Sequence, residues 1–542
     1  MTMDNLFLKA VSNKDIKTVN GAISNSSTGK AIIDQFGSIS SFLNRDISQV
    51  FSDQETLWKE NADLALKFIF YLRMITRKVK INESFVSDNV QIGQGLKDES
   101  FKRLLWVLEN FPVVFYKNIW LLPIVGSWKD VWTLMYYDKI YESNCIDHNY
   151  IFELIKQGLA CEKQCDLVKK FMPRIKSKSK LKTNWTKLTN QFAIEFANYI
   201  GVSKSEYNKI KTSGNAHDFQ KLISHNLYEK INWNLIPGKA LTKLVNSKFL
   251  SNHNLTDSYV DWLMQQPTVK FNGYPYELGK FHLENHKNDL SKRVTINKQF
   301  NTLIEKAKDN GGIKGNVWCA LDTSGSMSCT YAKTNVSALD VCMSLGCYFS
   351  TLNDGAFHKN VIMFDEISRV KQLNGDFCDM MDQLPRNAMG GTNFQSVVDE
   401  IVRIRQTNQN IPLDDYPQTV LIVSDMEFNP SGTFYRAMPI SREEELTNYE
   451  AMKEKLYKVF PTEFVDNMKF IWWSVASNVT NFPARMDDGG CYIISGFDGS
   501  AVSLILGEND SVQNTDEKVK LTMEDVVVKA LNQEILLQAT IK

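Results

Sequence analysis

The hydrophobic pattern of the sequence changes at residues 308–312, and this change restricts the fold more than any other feature. Upstream, apolar residues recur near the 3.6-residue period of an amphipathic helix, as in residues 57–75. Downstream, short apolar runs alternate with helical stretches, which is typical of a mostly parallel sheet with helices on both faces. The 542 residues are also too many for one ordinary core. We therefore predict a multidomain protein with an all-α N-terminal part and a doubly wound α/β C-terminal part.

The N-terminal part is predicted to be an irregular helical-repeat (HEAT-like) module, because successive helices are joined by short turns without a strict sequence period. The predicted helices span residues 57–75, 101–111, 127–137, 150–159, 162–171, 183–200, 218–225 and 256–265. Downstream, the predicted strands are 316–321, 360–364, 419–423, 469–475 and 491–494, and the predicted helices are 337–350, 394–405, 442–459 and 500–506. The expected domains are 1–308, 309–510 and 511–542. The last contains a helix at 522–537 that packs back on the body.

Composition narrows the class of protein. Lys+Arg and Asp+Glu both number 62, so the net charge by itself implies neither a nucleic-acid nor a membrane partner. The 9 cysteines lack the spacing of a disulfide framework or a zinc motif, and we expect them to be reduced. The N-terminus does not have the pattern of a signal peptide, and no apolar stretch reaches about 18 residues. We expect a cytoplasmic protein, or a component of a host cytoplasm or virion if a phage encodes it.

Oxygen-bearing side chains follow two of the predicted strands and precede one predicted helix. The first strand ends in an Asp-x-Ser-x-Ser motif formed by Asp322, Ser324 and Ser326. Thr392 precedes a helix, and Asp425 follows the strand 419–423. The carboxyl ends of parallel strands meet at one edge of a sheet, so these groups can converge there. Carboxylate and hydroxyl oxygens suit Mg²⁺, Mn²⁺ or Ca²⁺ rather than zinc or copper, and we expect Mg²⁺.

This order of residues resembles the metal-ion-dependent adhesion site (MIDAS) of von Willebrand factor A domains. The resemblance implies that Ser324 and Ser326 bind the cation directly and that Thr392 binds it directly or through water. It implies that Asp322 and Asp425 bind directly or through water and accept hydrogen bonds from coordinated waters. A carboxylate or phosphate oxygen of a partner can then fill the remaining coordination position. We predict binding rather than catalysis, because no histidine lies near these motifs and no phosphate-binding loop occurs.

The whole chain resembles the Ro/TROVE family, in which a ring of helical repeats precedes a von Willebrand A domain, and looks closest to its plant, fungal, viral and phage branch. The segments that carry the resemblance are Val19-Asn20-Gly21-Ala22, Ile33-Asp34-Gln35-Phe36, Tyr71-Leu72-Arg73, Phe101-Lys102-Arg103-Leu104-Leu105, Gly126-Ser127-Trp128-Lys129-Asp130, Phe171-Met172-Pro173-Arg174 and Ser424-Asp425-Met426-Glu427-Phe428. The chain departs from the family between Arg73 and Gly93, where relatives often have a compact Arg-Asp, Gly-Gly, Arg run. A function tied to that run is therefore not implied.

The resemblance implies that the helical part binds RNA, and two basic clusters agree with it. The first has no acidic neighbour and consists of Lys169, Lys170, Arg174, Lys176, Lys178, Lys180, Lys182 and Lys187. The second consists of Arg73, Arg77, Lys78 and Lys80, with Lys102 and Arg103 further on. Such clustering suits phosphate binding, and nearby aromatic residues such as Trp185 and Tyr207 can stack on unpaired bases. A solvated linker between two helices would show the same lysine run. We expect Trp120, Trp128 and Trp132 to be core residues.

Three functions fit these observations. The first is a Ro-like RNA-binding or scaffolding protein with a Mg²⁺-dependent docking site, in other words part of a ribonucleoprotein. The second is a protein-interaction or structural component, of a virion or its cargo for example. It would bind an acidic partner through the metal, without RNA. The third, a metal-dependent hydrolase, is the weakest, because the sequence has no acid/base cluster. The oligomeric state and the identity of the RNA or protein partner do not follow from the sequence.

Overall fold

A computed structural model of the protein describes residues 16–79, 89–213, 219–284, 289–309, 311–431, 446–506 and 521–542. Parts of the three predicted domains therefore lie outside the described residues, including 511–520 of the last. So do 442–445 of one predicted helix and Asp218 of another. Lys80 of the second basic cluster lies outside as well. Among the described residues, no helix has the length and apolar character needed to span a membrane.

The chain forms two compact units, and each is built from separate stretches of sequence. The sheet unit comprises residues 1–44 and 237–530, and the helical unit comprises residues 45–236 and 531–542. These units differ from the predicted domains, because residues 16–44 and the helices after 237 belong with the sheet rather than with the other helices. The C-terminal segment is divided between the units at residue 530.

The N-terminal segment of the sheet unit contains strands β1 (Ile16–Lys17) and β2 (Ile23–Ser24), which pair in antiparallel fashion, and helix α1 (Ala31–Gly37). Residues after α1 are tied to the main sheet of this unit. The backbone N–H of Ser40 donates to Ser495 Oγ at 2.9 Å, and Ser40 Oγ donates to Ala476 O at 2.8 Å. A Cβ atom at Gly37 would lie 2.8 Å from Ile493 Cγ2, so glycine allows the close approach there.

The helical unit contains seven of the eight helices predicted for the N-terminal part, together with three that were not predicted, and the eighth, 256–265, lies in the sheet unit. The helices of the helical unit are α2 (Ile47–Arg73), α3 (Lys97–Asn110), α4 (Pro112–Asn118), α5 (Leu122–Val125), α6 (Trp128–Ile140), α7 (His148–Ala160), α8 (Glu162–Phe171), α9 (Asn184–Tyr199), α10 (Lys204–Thr212) and α11 (Phe219–Ser224). A short antiparallel pair, β3 (Ile75–Arg77) and β4 (Gln91–Gln94), lies between α2 and α3 in the chain. Trp128 and Trp132 are buried, as predicted, and Trp120 is half-buried.

The sheet unit continues with helices that precede the main sheet in the chain. They are α12 (Gly238–Asn246), α13 (Phe249–Asn252), α14 (Thr256–Gln265), α15 (Pro275–Glu284) and α16 (Leu290–Asp309). Phe300 of α16 stacks on Phe377 with ring centroids 4.1 Å apart. Arg293 pairs with Asp379 at 2.6 Å and with Asp382 at 3.0 Å. These contacts fix α16 against the helices that follow.

The main sheet has six strands, β5 (Val317–Asp322), β6 (Asn360–Phe364), β7 (Ser368–Gln372), β8 (Thr419–Ser424), β9 (Lys469–Ser474) and β10 (Cys491–Ser495). Their helices are α17 (Ala338–Leu352), α18 (Phe377–Gln383), α19 (Gln395–Thr407), α20 (Asn448–Tyr457), α21 (Thr462–Asn467), α22 (Ser503–Leu506) and α23 (Met523–Leu531). The strand order is β10-β9-β8-β5-β6-β7, all parallel except β7, which pairs antiparallel with β6. The predicted mixed α/β domain with a mostly parallel sheet is therefore present.

The strand order reverses between β5 and β8, which are neighbours in the sheet but not in the chain. From β5 the chain proceeds outwards through β6 to β7, and then returns to β8 on the other side. In open parallel sheets, ligands bind at such a switch point, beyond the carboxyl ends of the strands. The five predicted strands are confirmed to within one residue at each end, and β7 was not predicted.

Candidate metal centre and basic surface

The switch point brings two of the predicted metal ligands together. The register pairs Leu321 with Val423, so β5 and β8 end side by side at Asp322 and Ser424. Asp322 and Asp425 thus occupy the carboxyl edge of neighbouring parallel strands. This is the arrangement predicted from the sequence for a cation site.

Asp322 is fully buried and held by hydrogen bonds from Ser324 and Ser424. Ser424 Oγ donates to its Oδ2 at 2.5 Å, and the backbone N–H of Ser324 donates to its Oδ1 at 2.9 Å. Burial, and next the nearby charge of Asp425, raises the pKa of Asp322 to about 7. The carboxylate is therefore costly in its charged form unless a positive charge is close.

Asp425 and the two serines lie together beside Asp322. Ser326 hydrogen-bonds to the Asp425 carboxylate, and its Oγ is 3.2 Å from Ser324 Oγ. The backbone N–H of Glu427 donates to Asp425 Oδ1 at 3.2 Å. Asp425 is 8% exposed, and burial is the main reason why its pKa is raised. Four of the five predicted ligands therefore form one polar cluster.

Thr392 is held at this edge by hydrogen bonds between the three loops. Its backbone N–H donates to Asn429 Oδ1 at 3.2 Å, and the backbone N–H of Asn429 donates to Thr392 O at 2.8 Å. The neighbouring Gly390 accepts from Gly325 N–H at 3.0 Å and has φ +82°, a backbone conformation that favours glycine. The loops that carry Ser324, Thr392 and Asp425 are thus joined through their backbones.

The donor set fits a hard divalent cation. It offers two carboxylates and three hydroxyls, and within the described residues neither Asp322 nor Asp425 has a basic ion-pair partner. Cys342 lies behind the strands, with Sγ 3.4 Å from Val423 O, and burial raises its pKa well above the ordinary value, so it stays a neutral thiol. Within the described part of the chain, no group of three or more His, Cys, Asp or Glu side chains is arranged so that it could hold a metal ion. The three hydroxyl oxygens supplement the two carboxylates in this donor set.

Three further residues belong to this site and were not predicted as functional: Asn20, Glu427 and Asn429. Asn429 holds the Thr392 backbone, as described above. Glu427 Oε2 accepts from Val19 N–H at 2.6 Å, and Asn20 donates from its amide to Thr392 Oγ1 at 3.3 Å. Val19-Asn20-Gly21 has the composition of a turn, but no local pattern in the sequence shows that this turn meets residues near 390 and 427.

The first basic cluster lies on the surface of the helical unit. We name residues 172–183, between α8 and α9, the lysine loop. Its basic side chains are exposed, and no ion pair with a described residue neutralises them: Arg174, Lys176, Lys178, Lys180 and Lys182. On the flanking helices, Lys170 and Lys187 are exposed and Lys169 is half-buried.

The lysine loop has a defined backbone. Asn208 Oδ1 accepts from Ile175 N–H at 3.1 Å, and its Nδ2 donates to Ile175 O at 3.0 Å. Asn190 Oδ1 accepts from Lys176 N–H at 2.7 Å, and Tyr207 OH donates to Pro173 O at 2.9 Å. These bonds anchor the first half of the loop to α9 and α10, so the loop is more than a solvated linker.

The aromatic residues near this loop have different roles. Trp185 is half-buried, and the Lys129 ammonium lies 5.6 Å from its ring centroid. Tyr136 packs edge-on against the same ring at 5.0 Å. Tyr207 is fully buried, so it anchors the loop and cannot stack on a base as the sequence suggested.

Most of the second basic cluster is structural. Arg73 is 1% exposed and pairs with Asp130, and its Nε donates to Asp130 Oδ2 at 3.1 Å. Arg103 is fully buried against Glu99 at 2.8 Å. Lys102 is buried and pairs with Asp98 at 2.7 Å. These three side chains are not accessible to RNA, which corrects the prediction that they bind it.

The two remaining described members differ from each other. Arg77 is half-buried and donates to Ile124 O at 2.8 Å and to Gly126 O at 3.0 Å. Burial lowers the pKa of Arg77 from its ordinary value, with the charge of Arg73 as the next cause. Lys78 is exposed. Of the five described members of this cluster, only Lys78 therefore presents an exposed charged end to solvent in the way that phosphate binding requires.

Comparison with known proteins gives one family match. Residues 317–540 match a family described as "Domain of unknown function (DUF7788)". This range begins at β5 and contains all five predicted metal ligands, but not Asn20. No curated protein matches the chain. Among solved structures, the crystal structure of the Deinococcus radiodurans Ro (RSR) protein aligns with a TM-score of 0.35 and 10% sequence identity, over 91% of this chain and 93% of that chain.

Proposed function

We propose that the sheet unit contains a von Willebrand factor A-type domain whose MIDAS-like centre binds Mg²⁺, or Mn²⁺ or Ca²⁺ in its place. The observation that supports this best is the pair of buried carboxylates, Asp322 and Asp425, at the switch point of the sheet without a basic partner among the described residues. Ser324, Ser326 and Thr392 add hydroxyl oxygens at the same edge. A divalent cation neutralises both carboxylates and satisfies these oxygens together.

We propose that this centre docks a partner and is not catalytic. A bound cation would offer a coordination position to a carboxylate or phosphate oxygen of that partner. The three segments that form the centre contain no histidine, cysteine or lysine that could serve as nucleophile or base. Glu427, the remaining carboxylate, already accepts hydrogen bonds from Val19 N–H, from Thr480 Oγ1 at 2.8 Å and from Asn481 Nδ2 at 3.1 Å.

Calorimetric titration of the full chain with Mg²⁺ tests the metal site. We expect Asp322→Ala and Thr392→Ala to lower the affinity by more than about tenfold, because each removes a proposed ligand or its support. Ser328→Ala is the matched control, since its exposed hydroxyl lies in the same segment but bonds only to Gly325 O. Unchanged affinity in both ligand variants, or no binding by the natural protein, would contradict the assignment.

We also propose that the helical unit binds RNA through the lysine loop and the basic residues beside it. Two observations support this proposal. The lysines of the loop are exposed and have no acidic partner among the described residues, and the backbone of the loop is anchored by hydrogen bonds at Ile175 and Lys176. Phosphate groups are the natural counter-charge for such a surface. The half-buried Trp185 lies at the start of α9, directly after the loop, and offers an aromatic ring on which an unpaired base can stack. On this view the protein is a Ro-like RNA-binding or scaffolding protein.

A gel-shift assay of the full chain with an RNA hairpin that has a single-stranded end tests this proposal. We expect binding at low salt, with a dissociation constant of about 1 μM or less. Changing Lys176, Lys178, Lys180 and Lys182 to Glu should weaken it and reduce the slope of log affinity against log salt by about three. The control changes four exposed lysines of the sheet unit to Glu: Lys243, Lys248, Lys333 and Lys458. An equal loss in both variants would mean that only the overall charge matters.

The alternative is a protein-interaction or structural component that binds an acidic partner through the metal and has no RNA. The absorbance ratio at 260 and 280 nm of protein purified from its native cells distinguishes the two. A raised ratio that falls after RNase treatment supports the RNA-binding function. A protein-like ratio, together with no gel shift at about 50 mM salt, would leave metal-dependent partner binding as the function.

A further inference from the structure

The turn between β1 and β2 meets the candidate metal centre, although it lies some 400 residues away in the chain. Thr18 Oγ1 donates to Phe428 O at 2.6 Å, across a separation of 410 residues. The backbone N–H of Val19 donates to Glu427 Oε2 at 2.6 Å. The turn itself is closed by Gly21 N–H, which donates to Thr18 O at 2.9 Å, and by Ala22 N–H, which donates to Thr18 Oγ1 at 3.0 Å. The turn is therefore closed by its own hydrogen bonds and anchored to the centre through Thr18 and Val19.

Asn20 at the tip of this turn contacts two segments of the centre at once. Its amide Nδ2 donates to Glu427 O and to Thr392 Oγ1, the latter at 3.3 Å. Thr392 is a proposed ligand of the cation. Glu427 follows Asp425, another proposed ligand, by two residues. A single side chain thus joins the loop before α19 to the loop after β8.

The bond to Thr392 bears on how its hydroxyl can act. A threonine hydroxyl has two lone pairs and one hydrogen. When one lone pair accepts from the Asn20 amide, the second remains for a cation and the hydrogen can point elsewhere. The Thr392 side chain is then restricted to few orientations, so it loses less conformational entropy when the cation binds.

We propose that Asn20 is a positioning residue of the metal centre, acting through the Thr392 hydroxyl and the backbone of the Glu427 loop. The inference rests on the proposed metal site and extends it, because the centre is then incomplete without a segment outside the matched range 317–540. Asn20 acts as a hydrogen-bond donor and does not bind the cation itself.

The test compares Asn20→Ala with Val19→Ala in the full chain. Both side chains are exposed, and the side chain of Val19 is 85% exposed while its contact with Glu427 comes from the backbone, which alanine keeps. Asn20→Ala should weaken Mg²⁺ binding by about three- to tenfold, as expected for the loss of a hydrogen bond that supports a ligand. Val19→Ala should leave the affinity within about twofold of the natural protein.

Melting temperatures measured with and without Mg²⁺ separate positioning from a general structural role. Asn20→Ala should melt like the natural protein without metal and be stabilised less by a given Mg²⁺ concentration. An Mg²⁺ affinity equal to that of the natural protein would overturn the inference, and so would a fall in metal-free melting temperature that accounts for the whole effect. If the natural protein itself binds no Mg²⁺, the proposed metal site fails first, so the two failures are distinguishable.

Discussion

At the scale of the residue, a proton and the proposed cation compete for the buried carboxyl group of Asp322. Its pKa is raised to about 7 from an ordinary value of 3.8, chiefly by burial. The folded protein therefore holds this proton more tightly than the unfolded chain does. Stability supplied by the protonated group is present below the unfolded pKa and is lost as pH rises through the folded value.

This linkage gives a prediction for metal-free protein in EDTA. Between pH 4 and 8 the natural protein should lose stability relative to Asp322→Asn, because the asparagine side chain stays neutral at every pH in this range. Saturating Mg²⁺ should stabilise the natural protein more at pH 8 than at pH 5. This difference between the two pH values should be absent in Asp322→Asn. Urea unfolding at both pH values measures these differences. A stability difference between the two proteins that is independent of pH would contradict the prediction.

Arg73 shows how a side chain's role depends on a partner that the sequence does not indicate. Its guanidinium is buried against the Asp130 carboxylate. Arg73→Ala would leave Asp130 buried without that charge, and should lower the free energy of unfolding by about 3–5 kcal/mol. Lys176→Ala is the control, because that exposed side chain has no ion pair and its loss should not change stability. In gel shifts, folded Arg73→Ala should bind RNA like the natural protein.

At the scale of the element, the strands near the centre were predictable and the contacts between distant elements were not. Strands β5, β8 and β10 are buried along their whole length, and such strands read as continuous apolar runs. Asp322, Ser324, Ser326 and Asp425 lie at or just after strand ends and Thr392 lies just before a helix, so the sequence predicted that all five would meet at one edge of the sheet. Strand β7 was missed because it is an exposed edge strand with polar residues at most positions. Asn20 was missed because its contacts are non-local.

The lysine loop allows its shape to be tested separately from its charge. Asn208 makes both of the hydrogen bonds that fix Ile175. Asn208→Ala should release the first half of the loop and weaken RNA binding by several-fold, because the loop must then be ordered on binding. All the lysines remain, so the slope of log affinity against log salt should stay the same. A changed slope would mean that the variant alters the number of phosphate contacts instead.

At the scale of the whole molecule, the sheet unit takes residues from both sides of the helical unit in the chain. The sequence pattern placed a boundary at 308/309, because the periodicity changes there. Periodicity reports which side of an element is buried and not what it is buried against. Ile33 and Phe36 of α1 and Phe300 of α16 belong to the sheet unit, yet they have the same helical spacing as the helices of the other unit.

The division into units predicts how fragments of the sheet unit behave. Residues 309–530 alone lack α1 and α12–α16, so residues such as Phe377 lose their partners. Each large apolar side chain that leaves its contact costs about 1.5–3 kcal/mol. Four or more such losses are comparable to the entire stability of a domain, about 5–15 kcal/mol. Residues 237–530 regain α12–α16 and lack only the N-terminal segment.

We therefore expect 309–530 to show no cooperative thermal transition by circular dichroism. Residues 237–530 should unfold cooperatively, but at a lower temperature than the full chain, because Ser40 and Gly37 no longer pack on β10 and its neighbours. Adding a peptide of residues 16–44 should raise that temperature, since a ligand that binds only the folded state stabilises it by mass action. If the fragment 309–530 melted like the full chain, the folding unit would begin at the boundary 308/309 predicted from the sequence. The helices before residue 309 would then not be needed for the sheet unit to fold. The fragment 237–530 should also bind Mg²⁺ more tightly with the peptide than without it, because the peptide brings Asn20 back to Thr392.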